Sequence, residues 1–73
     1  MGYSTTEMEV AEAKQMTSGW EVVAATKLSY FVFPEWRKRV IKAELKDDGN
    51  TVFFTLANNE FVTVEKLKKP APA

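Results

Sequence analysis

The segment Asp47-Asp48-Gly49-Asn50 constrains the fold more than any other stretch of this chain. Asp, Asn and Gly tolerate the backbone angles of tight turns or hydrogen-bond their own backbone there. Just before this segment, residues 41–46 alternate apolar with charged side chains, which is the period of a strand with one solvated face. The sequence therefore predicts a hairpin with strands at about 39–46 and 51–57.

The register of this hairpin follows from a four-residue loop. The predicted pairs set small residues against large ones on one buried face, and they are Leu45 with Val52, Ala43 with Phe54, and Ile41 with Leu56.

A second tight connection is predicted at Asn58-Asn59, followed by a strand at 61–67. A three-residue loop that includes Glu60 aligns Leu56 with Val62 and Phe54 with Val64. A two-residue loop would instead pair Phe54 with Thr63 and mix polar with apolar residues on one face, so the longer loop is preferred.

The N-terminal region carries residues that are typical of the start and the end of a helix. Ser4 and Glu7 have the spacing of a capping box, and Gly19 can supply a left-handed stop. The apolar face between them is broad and rich in methionine, with little bulk. We expect a helix over about 5–17 that packs on the sheet, and the alternative is a segment that orders only when a partner binds.

The middle of the chain reads as strand followed by a connection. Alternation predicts a strand at about 20–27, and the aromatic stretch that follows predicts another at 29–33. Pro34 could open a helix or end a strand. The alternation further on favours the second reading, so we expect 34–38 to connect strands with at most one helical turn.

These elements predict an α+β fold. It has an N-terminal helix and about five short strands in a small antiparallel curled sheet, or in an open barrel of the SH3-like or Sm-like kind. We expect a single domain over 1–67 and a flexible Lys-Pro-Ala tail over 68–73. A chain of 73 residues buries only a modest fraction of its surface, so its core is expected to be small.

Composition argues against most catalytic chemistry. The chain has no Cys and no His, so thiolate nucleophiles, the usual general base and the commonest zinc ligands are missing. The adjacent carboxylates Asp47 and Asp48 are better explained by turn chemistry than by a shared proton. We expect no enzymatic activity, no cofactor and no metal. No apolar run approaches the roughly 20 residues that span a bilayer, and we expect a cytoplasmic protein without a membrane partner.

Charge is balanced overall, with ten basic and ten acidic residues, but it is segregated along the chain. Residues 27–46 hold six basic and two acidic residues, next to a cluster of aromatics. The predicted partner-binding residues are Trp36, Arg37, Lys38, Arg39, Lys42 and Lys46. Such a stripe suits an acidic protein surface, because Trp and Arg dominate interface energies, or a single-stranded nucleic acid, whose bases stack on aromatic rings. A plainer alternative is that Tyr30, Phe31 and Phe33 fill the core while the cations keep a strand soluble.

Neutral overall charge favours a protein partner, since salt-dependent phosphate binding usually needs a clearly basic domain. An acidic N-terminal helix beside a basic stripe also suits a partner that carries both signs. We expect the free chain to be a monomer. A scaffold subunit that pairs with its own copy through an exposed strand edge is a further alternative.

The capped acidic N-terminus, the basic aromatic segment Trp36-Arg37-Lys38-Arg39 and the Pro-Ala tail resemble small phage-encoded proteins that bind host RNA polymerase. That resemblance implies a non-catalytic regulator or inhibitor of transcription whose basic stripe meets an acidic surface of the polymerase. The region 41–67 also resembles short bacterial β-meander domains of unassigned role.

Overall fold

The computed structural model describes residues 4–66. Its strands are β1 (Thr5–Met8), β2 (Glu21–Ala25), β3 (Val40–Lys46), β4 (Thr51–Leu56) and β5 (Phe61–Glu65), and its α-helix is α1 (Val10–Met16). Three short 3-10 segments connect them, at Leu28–Phe31, Pro34–Arg39 and Ala57–Asn59. The strands form one antiparallel open sheet in the order β1-β3-β4-β5-β2. The predicted α+β class, with one helix on a small antiparallel sheet, is confirmed at this level.

The hairpin around the Asp47-Asp48-Gly49-Asn50 turn is confirmed. Leu45 lies opposite Val52, and Ala43 lies opposite Phe54, as the alternation predicts. In the turn, the Asn50 amide donates to Asp48 Oδ1 at 2.8 Å, and Gly49 has a φ of +72°, which favours glycine.

The predicted pairing of Ile41 with Leu56 is wrong. A bulge shifts the register between Val40 and Lys42, so Val40 lies opposite Leu56. A bulge adds one residue to a strand and turns the following side chains. Val40 therefore enters the core, while Ile41 is 64% exposed instead of buried.

The connection from β4 to β5 also differs from the prediction, because it lies one residue earlier in the chain. The turn occupies Ala57–Asn59, where Asn58 and Asn59 both adopt positive φ, and the Leu56 amide donates to Glu60 O. Phe54 consequently pairs with Val62, so the predicted pairs are wrong by two residues. Because side chains alternate with a period of two, this error leaves the same residues on the buried face.

The predicted helix over 5–17 is only partly correct, because Thr5–Met8 forms a strand. The backbone of β1 pairs with β3, with Thr6 opposite Leu45 and Met8 opposite Ala43. The helix then begins at Val10, with Glu9 at its N-cap and no side-chain capping bond, so the predicted Ser4–Glu7 capping box is wrong. Pairing along a whole strand outweighs a cap that stabilises a helix by about 1 kcal/mol. Gly19 has the predicted left-handed conformation.

Strand β2 confirms part of the strand predicted at 20–27. A bulge lies between Val22 and Ala24, so Val22 pairs with Val64 while Ala25 pairs with Val62. A simple alternation would put Val22 and Ala24 on one face and Ala25 on the other, and the bulge breaks that alternation.

The strand predicted at 29–33 is wrong. Leu28–Phe31 is a 3-10 segment in which the Tyr30 amide donates to Lys27 O. The connection predicted at 34–38 is more helical than expected, since Pro34 opens a 3-10 helix that continues to Arg39. Proline suits such a first position because its missing amide would be unpaired there.

One face of the sheet forms the core. Helix α1 contributes Ala13, the 3-10 segments contribute Tyr30 and Trp36, and the strands contribute the remaining buried residues, Val40, Ala43, Val52, Phe54, Leu56, Val62 and Val64.

The end of the strand predicted at 61–67 and the tail predicted at 68–73 reach beyond the described residues. None of the helices within residues 4–66 is long and apolar enough to cross a membrane.

Candidate docking surface

The segment from Lys27 to Arg39 replaces the predicted second strand, and three residues attach it to the sheet, to the turn before β5 and to α1. The first is Trp36, which is 2% exposed and lies with its ring centroid 5.3 Å from that of Phe54. Edge-to-face and tilted ring pairs of this kind add to the energy of burial. The expectation that Trp36 is exposed to a partner is therefore wrong, and this side chain belongs to the core.

The second attachment is Arg37, whose guanidinium lies over the Trp36 ring, 4.8 Å from the ring centroid. Its Nη2 donates to Thr17 O at 3.1 Å, and its Nη1 donates to Thr17 Oγ1 at 3.2 Å and to Lys14 O at 3.4 Å. The carbonyl groups at the end of a helix lack partners within the helix and carry partial negative charge. Arg37 thus links the C-terminus of α1 to the 3-10 helix, and burial lowers its pKa.

The third attachment is Tyr30, a buried residue in a segment whose other side chains are exposed. Its hydroxyl donates to Glu60 Oε1, in the turn before β5. The Lys27 ammonium lies 3.3 Å from Glu60 Oε2 and 5.8 Å from the centroid of the Tyr30 ring. One carboxylate therefore contacts both Lys27 and Tyr30 and holds the Leu28–Phe31 turn against the sheet.

The titration of this cluster reflects those contacts. The hydrogen bond to Glu60 raises the pKa of Tyr30, and burial and the Glu60 charge act in the same direction. The hydrogen bond from Tyr30 lowers the pKa of Glu60, and the Lys27 and Arg39 charges lower it further against the effect of burial. Arg39 is thus close enough to act on the same carboxylate as Lys27.

The side chains between these attachments form an exposed apolar surface, which we call the 28–33 patch. Leu28 is 84% exposed, Val32 71%, Phe33 61% and Phe31 45%. The alternative in which Tyr30, Phe31 and Phe33 fill the core is therefore confirmed for Tyr30 and wrong for Phe31 and Phe33. Scattered exposed apolar side chains are ordinary, but a contiguous cluster is typical of interaction sites.

A cavity of about 320 Å³ lies beside the 28–33 patch. One wall comes from the start of β2, with Trp20, Glu21 and Val22, and the rest comes from the segment that carries the patch, Tyr30, Phe31, Val32, Phe33, Pro34, Trp36 and Arg37. Pockets with mostly apolar walls and few polar groups are typical of binding sites. The patch and its cavity form one continuous surface.

The predicted basic stripe is divided in the structure. Lys38 and Arg39 are exposed in the 3-10 helix, while Lys42 is exposed further along β3. Lys46 is half-buried at the end of the same strand. Glu44 lies between the two lysines of β3, and its carboxylate is 4.0 Å from the Lys42 ammonium, so β3 does not present a row of cations.

The outer face of the sheet, opposite the core, carries several carboxylates. Glu7 lies opposite Glu44, and Glu21 lies opposite Glu65. Exposed apolar residues accompany them, since Phe61 is 48% exposed and pairs with Thr55 beside Lys42. This face is of mixed charge.

The adjacent carboxylates Asp47 and Asp48 lie in the turn between β3 and β4. No group of three or more carboxylate, imidazole or thiol side chains is positioned within residues 4–66 to hold a metal ion. Asp48 accepts a backbone hydrogen bond in its turn. What the described surface offers is an apolar contact area bordered by cations.

The 28–33 patch could have been noticed in the sequence. The run Leu28 to Phe33 contains five large apolar residues around one serine, with no polar alternation, and Pro34 then prevents a continued strand ladder. A strand with one buried face does not need so many apolar residues in succession. We compared the chain with family models, with curated proteins and with solved structures, and found no significant match.

Proposed function

We propose that this chain is a non-catalytic, cytoplasmic protein-binding domain that regulates a larger assembly, and that the 28–33 patch is its docking surface. The observation that carries the proposal is the exposure of four large apolar side chains in six consecutive residues of a segment held in place by buried neighbours. Apolar and aromatic residues at the centre of an interface supply most of its binding energy.

The anchoring of the segment supports this role. Tyr30, Trp36 and Arg37 attach the 27–39 segment to the sheet and to α1, so the patch is presented on a defined backbone. A preorganised surface loses less conformational entropy when a partner binds. The predicted cations Lys38 and Arg39 are exposed in the 3-10 helix that follows the patch, and on this proposal they extend the surface toward an acidic partner.

A protein suits the exposed surface better than a single-stranded nucleic acid does. Nucleic-acid binders place aromatic rings along a groove of positive charge. Here the sheet face that carries Phe61 carries four glutamates in two opposed pairs together with Lys42 and Lys46, so its charge is mixed rather than positive. A bound nucleic acid would have to use that face of the sheet, and so would a partner that contacts Lys42 and Lys46.

RNA polymerase is the first partner to test, because the chain resembles small phage-encoded proteins that bind this enzyme. On the same proposal the chain inhibits transcription by occupying a polymerase surface. The meander β3-β4-β5, with bulges in β3 and in the neighbouring β2, further suggests an SH3-like or Sm-like open barrel, a small frame that hosts many binding functions.

Affinity capture tests the proposed surface. The chain is immobilised and exposed to lysate of its source or host, and separately to purified RNA polymerase. Three variants are compared: a patch variant (Leu28→Ser, Val32→Ser, Phe33→Ser), a cation variant (Lys38→Glu, Arg39→Glu) and a control (Lys42→Ala). We expect the patch variant to lose at least tenfold in retained partner, the cation variant to lose less, and the control to behave as the wild type.

Circular dichroism and urea unfolding establish that each variant is folded. Retention of the partner by the folded patch variant would refute the docking surface. Loss of the partner in the Lys42→Ala control alone would move the site to the outer face of the sheet.

A further inference from the structure

We propose that the partner presents a segment in which one large apolar side chain enters the cavity beside the 28–33 patch, and an acidic side chain within a few residues contacts Arg39. This inference rests on the proposed function and names the chemistry of the partner. A second copy of the chain and a partner without acidic residues are the competing occupants.

The cavity accounts for the apolar part of the segment. A volume of about 320 Å³ exceeds that of a single large side chain, and the indole of half-buried Trp20 lies on one wall with Pro34 on another. Interface hot spots are commonly aromatic or aliphatic side chains that fill such a pocket and exclude water. Val32, which lines it and is 71% exposed, would cover the backbone of the bound segment.

The charges account for the acidic part. At the Tyr30 end of the patch, Lys27 and Arg39 both act on one carboxylate, that of Glu60. Lys27 forms the ion pair with Glu60, and Arg39 forms no ion pair with another described residue. In the same 3-10 helix, the exposed Glu35 and Lys38 offset each other. Arg37 lines the cavity itself, but its guanidinium donates to Thr17 and to Lys14 O. The remaining exposed cation of this helix is Arg39, at its last position, and its planar fork matches a carboxylate.

Glu21 also lines the cavity, which limits the surplus, but it lies at the end formed by β2 and pairs with Glu65. Its charge would repel an acidic residue placed on the β2 side of the cavity. The arrangement predicts an orientation as well as a composition, with the acidic residue of the partner on the Arg39 side of its apolar anchor.

A random library of 12-residue peptides displayed on yeast tests this chemistry even while the partner is unidentified. The library is selected on the full chain and counter-selected on the Phe33→Ser variant. We expect enriched peptides to contain Phe, Trp, Leu, Ile or Met within three residues of Asp or Glu. Synthetic versions without Trp should change the fluorescence of the chain, whose two tryptophans both line the cavity, and bind at least tenfold more tightly than versions with Ala at the apolar position.

Charge reversal supplies the decisive comparison. Selection on the Arg39→Glu variant should replace the acidic residue of the enriched peptides with Lys or Arg, whereas the matched Lys42→Glu variant should leave the enriched composition unchanged. Enriched peptides whose charge does not follow residue 39 would overturn the inference, and so would a lack of enrichment over the Phe33→Ser variant.

Sedimentation tests the remaining competing occupant, a second copy of the chain. A dimer of the wild-type chain at micromolar concentration that Phe33→Ser dissolves would show that a second copy fills the patch, and would overturn the inference. Failure of the peptide selection leaves the result of affinity capture intact, so the two proposals fail separately.

Discussion

The β3-β4-β5 meander and the 27–39 segment are both rich in aromatic and aliphatic residues, but they differ in which of these side chains are buried and which are exposed. In the meander, alternation divides the side chains between a buried and an exposed face, and Val52, Phe54 and Val64 are fully buried. In the 27–39 segment, Tyr30 and Trp36 are buried while Phe31 and Phe33 remain exposed.

The difference arises from how each region is attached. A strand in the middle of a sheet has two hydrogen-bonded neighbours, so its whole length is positioned by backbone pairing. The 27–39 segment is attached by a few side chains, chiefly Tyr30, Trp36 and Arg37. Its remaining apolar residues are then available to another molecule. Substitutions of buried residues in the meander should therefore mainly reduce stability. Substitutions of the exposed apolar residues in the 27–39 segment should mainly reduce binding.

The largest expected effect on folding is at Phe54, which is fully buried against Trp36. Replacing such a phenylalanine with alanine typically removes about 3–5 kcal/mol of stability, a large part of what a small domain has. We expect Phe54→Ala to be largely unfolded at room temperature in a urea titration. The matched control Phe61→Ala, at a half-exposed position, should stay folded, and equal losses at the two positions would contradict the assigned core.

The next effect is at Arg37, which joins the 27–39 segment to α1. Hydrogen bonds to a charged group are each worth roughly 1.5–3 kcal/mol net, and here three share one guanidinium. We expect Arg37→Met to lose roughly 2 kcal/mol in urea unfolding, with a visible loss of helical circular dichroism. Lys38→Met, the exposed neighbour, should change stability little. A similar loss at both positions would mean that Arg37 acts only through its net charge.

A smaller effect is expected for Tyr30→Phe, which removes the hydrogen bond to Glu60 and keeps the ring. The lowered pKa of Glu60 means that its contribution is present above the unfolded pKa, near 4.5, and is lost as pH falls through the folded value. The raised pKa of Tyr30 means that its contribution is present below pH 10.0 and is lost as pH rises through the folded value. The wild type should therefore exceed Tyr30→Phe in melting temperature at neutral pH. That difference should shrink as the pH falls below 4.5, and a constant difference would exclude the pair.

The smallest effect is expected at Ile41. At the β-bulge, Ile41 is exposed although its neighbour Val40 is buried. Ile41→Ser should change the free energy of unfolding by less than about 0.5 kcal/mol, as exposed positions usually do. Val40→Ser, at the buried neighbour, should cost several times more. A chemical denaturation series on the two variants distinguishes the observed register from the simple alternation, which predicts the reverse order.

Much of the meander could be predicted from the sequence because its signals are local. The Asp47-Asp48-Gly49-Asn50 turn and the alternation beside it define the first hairpin, and an error of two residues in the second left its buried face intact. The bulge at Ile41 could not be predicted, because nothing in the local pattern shows where a sheet must bend. The strand formed by Thr5–Met8 depends on pairing with β3, a contact distant in sequence that overrides local helix signals.

The candidate site was less predictable for a related reason. Trp and Arg are residue types that are common in contact surfaces. In the structure, however, the Trp36 ring packs against Phe54, and Arg37 binds the end of α1. The difference between an aromatic residue that anchors and one that is presented depends on tertiary contacts. Lys38 and Arg39 remain exposed as predicted, and their contact with a partner stays a prediction.

Hydrogen exchange of the captured complex tests most directly whether the anchored 27–39 segment presents a docking surface. The backbone amides of the free chain and of the complex are compared by mass spectrometry, with peptides that separate residues 28–33 from β3 and β5. We predict that partner binding slows exchange in 28–33 more than anywhere else in the described chain. Protection confined to residues 41–46 and 61–65, with none at 28–33, would contradict the account.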